Sequence, residues 1–268
     1  MTTIQSFRSR GVLIALVATA AWCLSSMIAT PVSAQETSDA KKIVKAMSDY
    51  VTSQKNISFA FDSTIEVVTR QQQKIQFSSS GQVLLSRPDK IRATRTGGYA
   101  DVELVFDGKT ATLYGKHRNL YAQVDALGSV DQLVERMRSR LEVDMPGADL
   151  LMTTVFDDLM NGVIISSHIG RGVIEGIECE HLAFRNDDVD WQLWVEVGAK
   201  PIPRKYVITT TAVNGGPQYT LVIRDWKTDG QPAPNAFAFT PAAGAEKVEI
   251  VKLQDLDEVP PGVQAGAR

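Results

Sequence analysis

The sequence predicts a mainly β, α+β fold. It is a single curled antiparallel sheet of about 11 strands, with an N-terminal helix and a helical insertion in mid-chain. Three observations predict it. Apolar and polar residues alternate with period two over most of the chain. Short turns rich in Gly, Pro and Asp separate those stretches. Helical spacing appears in only two places, so strands follow strands, as in a meander and not in a run of βαβ units. A sheet of that width has to curl, because each strand pair adds twist.

The elements follow in order. Residues 36–55 read as an amphipathic helix, with Ile43, Val44, Met47, Tyr50 and Val51 on one face and Ser38 as its N-cap. Ile57, Phe59, Phe61, Ile65 and Val67 then alternate with Ser58, Asp62, Thr64 and Glu66, and only Ala60 and Val68 blur the pattern. After the polar link Thr69–Gln73, Ile75, Phe77, Val83 and Leu85 repeat the pattern, giving a long hairpin that ends at Pro88. Ser78-Ser79-Ser80-Gly81 inside the second strand reads as a bulge or edge device. Shorter strands follow at Ile91–Thr96, Asp101–Phe106, Thr110–Tyr114 and Asn119–Gln123, with Asp107-Gly108 as a type I′ hairpin signal. Residues 129–141 are helical, with Ser129 as N-cap and Val130, Leu133, Val134, Met137 and Leu141 on one face. Pro146-Gly147 interrupts, and a second helix, Ala148–Met160, is apolar enough to require burial. Strands resume at Val163–Val173, Ile177–Arg185, Asp190–Val197, Pro203–Thr211 and Gln218–Trp226. A short last strand is expected near Phe237–Thr240. No linker divides residues 35–255, and the Pro- and Gly-rich residues 256–268 read as a flexible tail.

The first 34 residues give the expected location. Arg8 and Arg10 precede an apolar run from Val12 to Ala29, which ends in Val32-Ser33-Ala34 after Pro31. That is the layout of a cleaved secretory signal, so the mature chain is expected to begin at Gln35 in the periplasm. An uncleaved anchor is the alternative, since about 18 apolar residues just span a bilayer. A lipid-modified Cys23 is disfavoured by Ala20-Ala21-Trp22, which is not a lipobox. Segment 1–34 holds two of the 28 basic residues and none of the 31 acidic ones, leaving a net charge of −5 on the remainder. That balance argues against nucleic acid as a partner. Only Cys179 remains, so no internal disulfide can form and the core must supply the stability.

Chemistry-bearing motifs are few. His117, His168 and His181 have no metal-ligand spacing; Cys179 and His181 share a strand face, but two further ligands would be needed. No Ser sits in a G-x-S-x-G elbow, which leaves Ser79 and His181 as the residues an esterase reading would have to use. Asp187, Asp188 and Asp190 lack the EF-hand pattern and read as a solvated turn, and Asp157-Asp158 as a surface pair. No Gly-rich loop cradles a phosphate, so neither a cofactor nor a metal is expected, and no catalysis.

The pair of long strands after an N-terminal helix resembles the LolA/LolB superfamily of periplasmic lipoprotein carriers. So do the helical insertion and the strand entry Lys200-Pro201-Ile202-Pro203-Arg204-Lys205-Tyr206-Val207-Ile208. More closely, residues 36–255 resemble the DUF2092 family of predicted periplasmic proteins. The resemblance rests on Ser86-Arg87-Pro88-Asp89-Lys90-Ile91-Arg92, Phe106-Asp107-Gly108-Lys109, Gly176-Ile177-Glu178-Cys179-Glu180-His181-Leu182 and Phe237–Ala245. It implies a half-open β-barrel with a mid-chain helical lid over an apolar cavity. It also implies binding of a lipid acyl chain or a lipoprotein, with no chemistry and only transient membrane contact. The carriers hold the lid with an Arg, and the sequence does not fix which of Arg136, Arg138 and Arg140, if any, takes that position. The expected cavity wall is Phe59, Phe61, Ile65, Ile75, Phe77, Val83, Trp191, Leu193, Tyr206 and Tyr219, with Leu133, Met137 and Leu151 covering the mouth. The plainer reading of the same stripe is ordinary core. The competing functional reading is a sensor or scaffold that binds an envelope protein partner through the sheet.

Overall fold

A computed structural model describes residues 32–141 and 145–250, together with 253, 256, 258–260 and 263, without the side chains of 32–38, 140 and 141. The expected signal run and Cys23 lie outside the described residues, and Val32–Ala34 form the first turn of helix α1 (Val32–Ser53). Ser38 therefore sits inside that helix and does not cap it.

Strands β1 (Asn56–Val68), β2 (Lys74–Ser86), β3 (Lys90–Gly97), β4 (Asp101–Phe106), β5 (Thr110–Gly115) and β6 (Leu120–Asp125) run as a meander. Helix α2 (Val130–Leu141), a 3-10 turn (Ala148–Leu151) and α3 (Val155–Met160) follow. Then come β7 (Ile165–Ile174), β8 (Ile177–Arg185), β9 (Val189–Glu196), β10 (Pro203–Thr210), β11 (Gln218–Lys227) and β12 (Glu246–Lys247). All belong to one sheet in the order β12-β6-β5-β4-β3-β2-β1-β11-β10-β9-β8-β7, whose ends do not meet. It is an open sheet and not a closed barrel, the architecture that the carrier resemblance implies.

Topology explains why the insertion must be helical and apolar. β6 lies on one wing and β7 ends the other, so residues between them have to cross the whole sheet. They cross its covered face, where Leu133, Met137, Leu150 and Val155 join α1 residues Val44, Met47 and Val51 in one core. Laid flat, 12 strands would be about 50 Å wide. Yet the same cluster takes in Ile91, Phe106 and Ala111 from β3–β5 and Leu182, Trp191 and Tyr206 from β8–β10. Both wings therefore fold toward the helices, and that face is concave.

Four expectations need correction. The last strand is not at Phe237–Thr240 but at Glu246–Lys247, parallel to β6, which makes 12 strands among the described residues. Pro232 and Pro234 before the earlier segment and Pro241 after it lack the N–H a ladder uses, so the stretch able to pair is short. It lies instead as a strap on the convex face, with Phe239 against Tyr114 and Tyr121 at ring distances of 5.6 and 5.1 Å. The helix expected at Ala148–Met160 is broken at Met152–Thr154, because the Thr153 amide and hydroxyl both donate to the Asp131 carboxylate of α2. Ser78–Gly81 is neither bulge nor edge: β2 pairs without a register shift with β1 on one side and β3 on the other. Finally, Asp107-Gly108 does make a hairpin, but only Gly108 is left-handed there (φ 95°), whereas a type I′ turn needs two such residues. Glu175 and Gly176, at φ 49° and 81° between β7 and β8, form the turn of that kind.

Ser129 is a capping box with Gln132. The Gln132 amide donates to Ser129 Oγ at 3.2 Å and the Ser129 amide to Gln132 Oε1 at 3.0 Å. Ser129→Ala is expected to cost about 1 kcal/mol, read as a fall of roughly 2–4 °C in a thermal melt.

Candidate functional site

The strand registers fix what the concave face presents. One row across the sheet reads Val102, Arg95, Gly81, Phe61, Ile223. The next reads Gly97, Ser79, Ser63, Leu221, Tyr206, Leu193. The third reads Phe77, Ile65, Tyr219, Ile208, Trp191. Small residues at Gly97, Ser79, Ser63 and Gly81 leave a hollow in the middle of this floor. Gly81 is needed there: a Cβ on it would lie 2.4 Å from Phe61 Cζ, so the ring covers the glycine.

The sequence-predicted residues divide into two groups on this floor. Phe59, Val83, Trp191, Leu193, Tyr206, Leu133, Met137 and Leu151 are buried against the helices as core. Phe61 and Tyr219 are partly buried at the margin of that core. Ile65, Ile75 and Phe77, also partly buried, continue the apolar surface beyond it, toward the far end of the β1–β2 hairpin. The first group is therefore packed as core, and the second is only partly buried.

The hollow holds an ion pair absent from the expectations drawn from sequence. Arg95 lies 3.3 Å from the Glu258 carboxylate and also donates to the Leu256 carbonyl. Ser63 Oγ donates to Glu258 Oε1 at 3.4 Å, and Ser63 is hydrogen-bonded to Tyr219. The chain reaches this place by wrapping round the β6 edge. It passes along the convex face as the strap, pairs at β12, and returns with Leu256 beside Gly115 on the concave face. The Glu258 side chain is only 8% exposed. Burial pushes its pKa up, against the pull of Arg95 and Ser63 in the other direction.

Burial also drives the hydroxyls of Tyr206 and Tyr219 well above the ordinary tyrosine pKa. Both stay neutral in the fold while the unfolded chain ionises near pH 10, so stability is full below that pH and falls as pH rises past it. Each contributes up to about 1.4 kcal/mol per pH unit to that fall. Tyr206→Phe is expected to show a visibly shallower loss of stability between about pH 10 and 11.5 than the parent in denaturant titrations.

The groups considered for chemistry are not brought together. Ser79 faces the concave side, whereas His181 is on the convex side, stacked on Trp194 at 4.1 Å and hydrogen-bonded to Gln192. Cys179 shares that outer face with His181, but it is buried, and burial pushes its thiol pKa up. No group of three metal-ligating side chains occurs among the described residues. Asp190 is held by Arg185 through two bonds of 2.6 and 2.7 Å, as a solvated turn requires. In the insertion, Arg138 pairs with Asp149 at 2.6 Å and Arg136 donates to the carbonyls of Ala126 and Leu127, so both fasten the helices locally.

Comparison with known proteins adds a family. The model of the family described as predicted periplasmic protein (DUF2092) matches residues 40–251. No curated protein matches the chain. Among solved structures, LprF from Mycobacterium bovis is 13% identical with a TM-score of 0.46, covering 76% of this chain and 99% of that one. The Mycobacterium tuberculosis lipoprotein LppX is 13% identical with a TM-score of 0.43, covering 72% and 97%. The complex of Pseudomonas aeruginosa MucA and MucB gives 12% identity and a TM-score of 0.41, covering 75% and 61%. With a family model matched over most of its length, from the first buried residue of α1 to past β12, the chain belongs to the DUF2092 family of predicted periplasmic proteins.

Proposed function

We propose that this protein is a non-catalytic periplasmic carrier that holds the acyl chain of a lipid, or of a lipidated partner, on the open part of its concave face. The observation that carries the reading is the row Phe77, Ile65, Tyr219, continued by Ile75 and Phe61. It is an apolar surface inside the curl of the sheet that the three helices leave only partly covered. Burial of each methylene is worth about 0.8 kcal/mol, so a long chain binds there without any specific contact. Exported protein, with its signal removed before Gln35, would meet such ligands in the periplasm. Titration with a fluorescent long-chain probe tests it. Saturable binding at about one probe per chain is expected, and a flat titration of folded protein would overturn the reading.

A second reading has its own observation. Edge strand β7 exposes Ile165, Ile169 and Val173, with Ile164 just before it. Such an edge favours a protein partner that adds a strand or packs on it. A stoichiometric protein recovered with the chain from the periplasm, in place of lipid, would favour that reading.

A further inference from the structure

We propose that Arg95, Ser63 and Tyr219 form a head-group site for an amphiphile with one anionic head, a carboxylate or a phosphate, and that Glu258 occupies it as an internal stand-in. The inference rests on the acyl-chain reading above and gives that site its polar end.

Register isolates the cation. On the concave positions of β1–β6 and β9–β11, Arg95 is the one charged residue; its neighbours there are Val102, Gly81, Ala93 and Gly97. A guanidinium among apolar and small residues is costly unless an anion meets it. The fold supplies one from far away, since Glu258 is 195 residues from its Ser63 partner. The described residues between β12 and Glu258 nearest to it, 253 and 256, belong to no helix or strand. The small residues Ser63, Ser79 and Gly97 give the carboxylate its room.

The stand-in fits incompletely. Arg95 Nε and Glu258 Oε2 are both buried without a hydrogen-bond partner, although Arg95 uses its two terminal nitrogens on the tail. A free carboxylate or phosphate, not tethered to a backbone, can take Nε and a terminal nitrogen together, the paired geometry that guanidinium favours. Its chain would then run over Phe61 and Ile65 toward Phe77.

The test compares a fluorescent long-chain fatty acid with the alcohol of the same chain, on the parent, Glu258→Gln and the double variant R95Q/E258Q. The double variant leaves no uncompensated charge, so it keeps the fold where Arg95→Gln alone could lose it. The parent is expected to prefer the acid by at least about tenfold, Glu258→Gln to bind it about tenfold more tightly still, and the double variant to bind acid and alcohol within about threefold. Lysophosphatidic acid added as competitor separates the sources: displacement tighter than by the fatty acid identifies a phosphate head, weaker displacement a carboxylate. Equal preference in parent and double variant, or no tightening in Glu258→Gln, overturns the head-group site while bound alcohol leaves the acyl surface standing. If neither probe binds any of the three proteins, both readings fall.

Discussion

Replacing Trp191 with alanine is expected to lower stability by roughly 3–5 kcal/mol, with a thermal shift on the order of 10 °C. The ring is buried in the middle of β9. It stacks on Phe184 of β8 at 3.9 Å, meets Tyr206 of β10 edge-on at 5.9 Å, and its indole N–H donates to Asn186 Oδ1 at 2.9 Å. Truncation leaves a ring-sized void between three strands and removes the donor from the half-buried Asn186. Trp194 is the control, because it lies three residues on and faces the other way, with His181 on one side and Lys205 5.0 Å from its ring. Trp194→Ala is expected to cost about 1–1.5 kcal/mol. Equal losses in chemical denaturation would mean that the two faces of β9 are assigned the wrong way round. A Trp191 that instead lined an open cavity would be cheap to truncate.

Replacing Phe77 with aspartate is expected to weaken acyl-probe binding by about 100-fold, or about 2.7 kcal/mol, while stability changes by no more than about 1.5 kcal/mol. Phe77 pairs with Ile65 in the hairpin but lies outside the packed core, so its loss opens no enclosed void. A carboxylate there would have to be desolvated by any chain laid across it. Phe61→Asp is a less clean experiment, because that ring covers Gly81 and the new carboxylate would sit in the same row as Arg95, two strands away. A folded Phe77→Asp protein with undiminished probe binding would remove the β1–β2 hairpin from the site.

Much of the fold is legible in the residues because strand faces are set by period two. The alternation of Ile57, Phe59 and Phe61 with Ser58 and Asp62 is enough to give both strand and face, and β8 runs over the expected Ile177–Arg185. What is hidden depends on partners distant in the chain. The break at Met152–Thr154 is set by Asp131, 22 residues earlier, and nothing local distinguishes it from a continuing helix. The aromatic strap looks like a strand until Tyr114 and Tyr121 are placed beneath it.

The proposed site is half visible in the sequence. The apolar stripe could be read, but pattern alone could not divide Trp191 and Leu193, under the helices, from Ile65 and Phe77, beyond them. One signal was present and unused: Arg95 follows Ile91 and Ala93 at the same parity, a cation on the apolar side of a strand. Such a residue needs an anion, and its partner Glu258 belongs to the segment that composition alone marks as a loose tail.

The central claim is that the concave face carries an amphiphile, and the contents of the native protein test it most directly. Protein exported to the periplasm and purified without detergent would be extracted with organic solvent and the extract read by mass spectrometry. One amphiphile class with an acyl chain and an anionic head is expected, at close to one molecule per chain. A clean extract from folded, monodisperse protein would contradict it, and would leave the open stripe as core margin and the β7 edge as the surface to pursue.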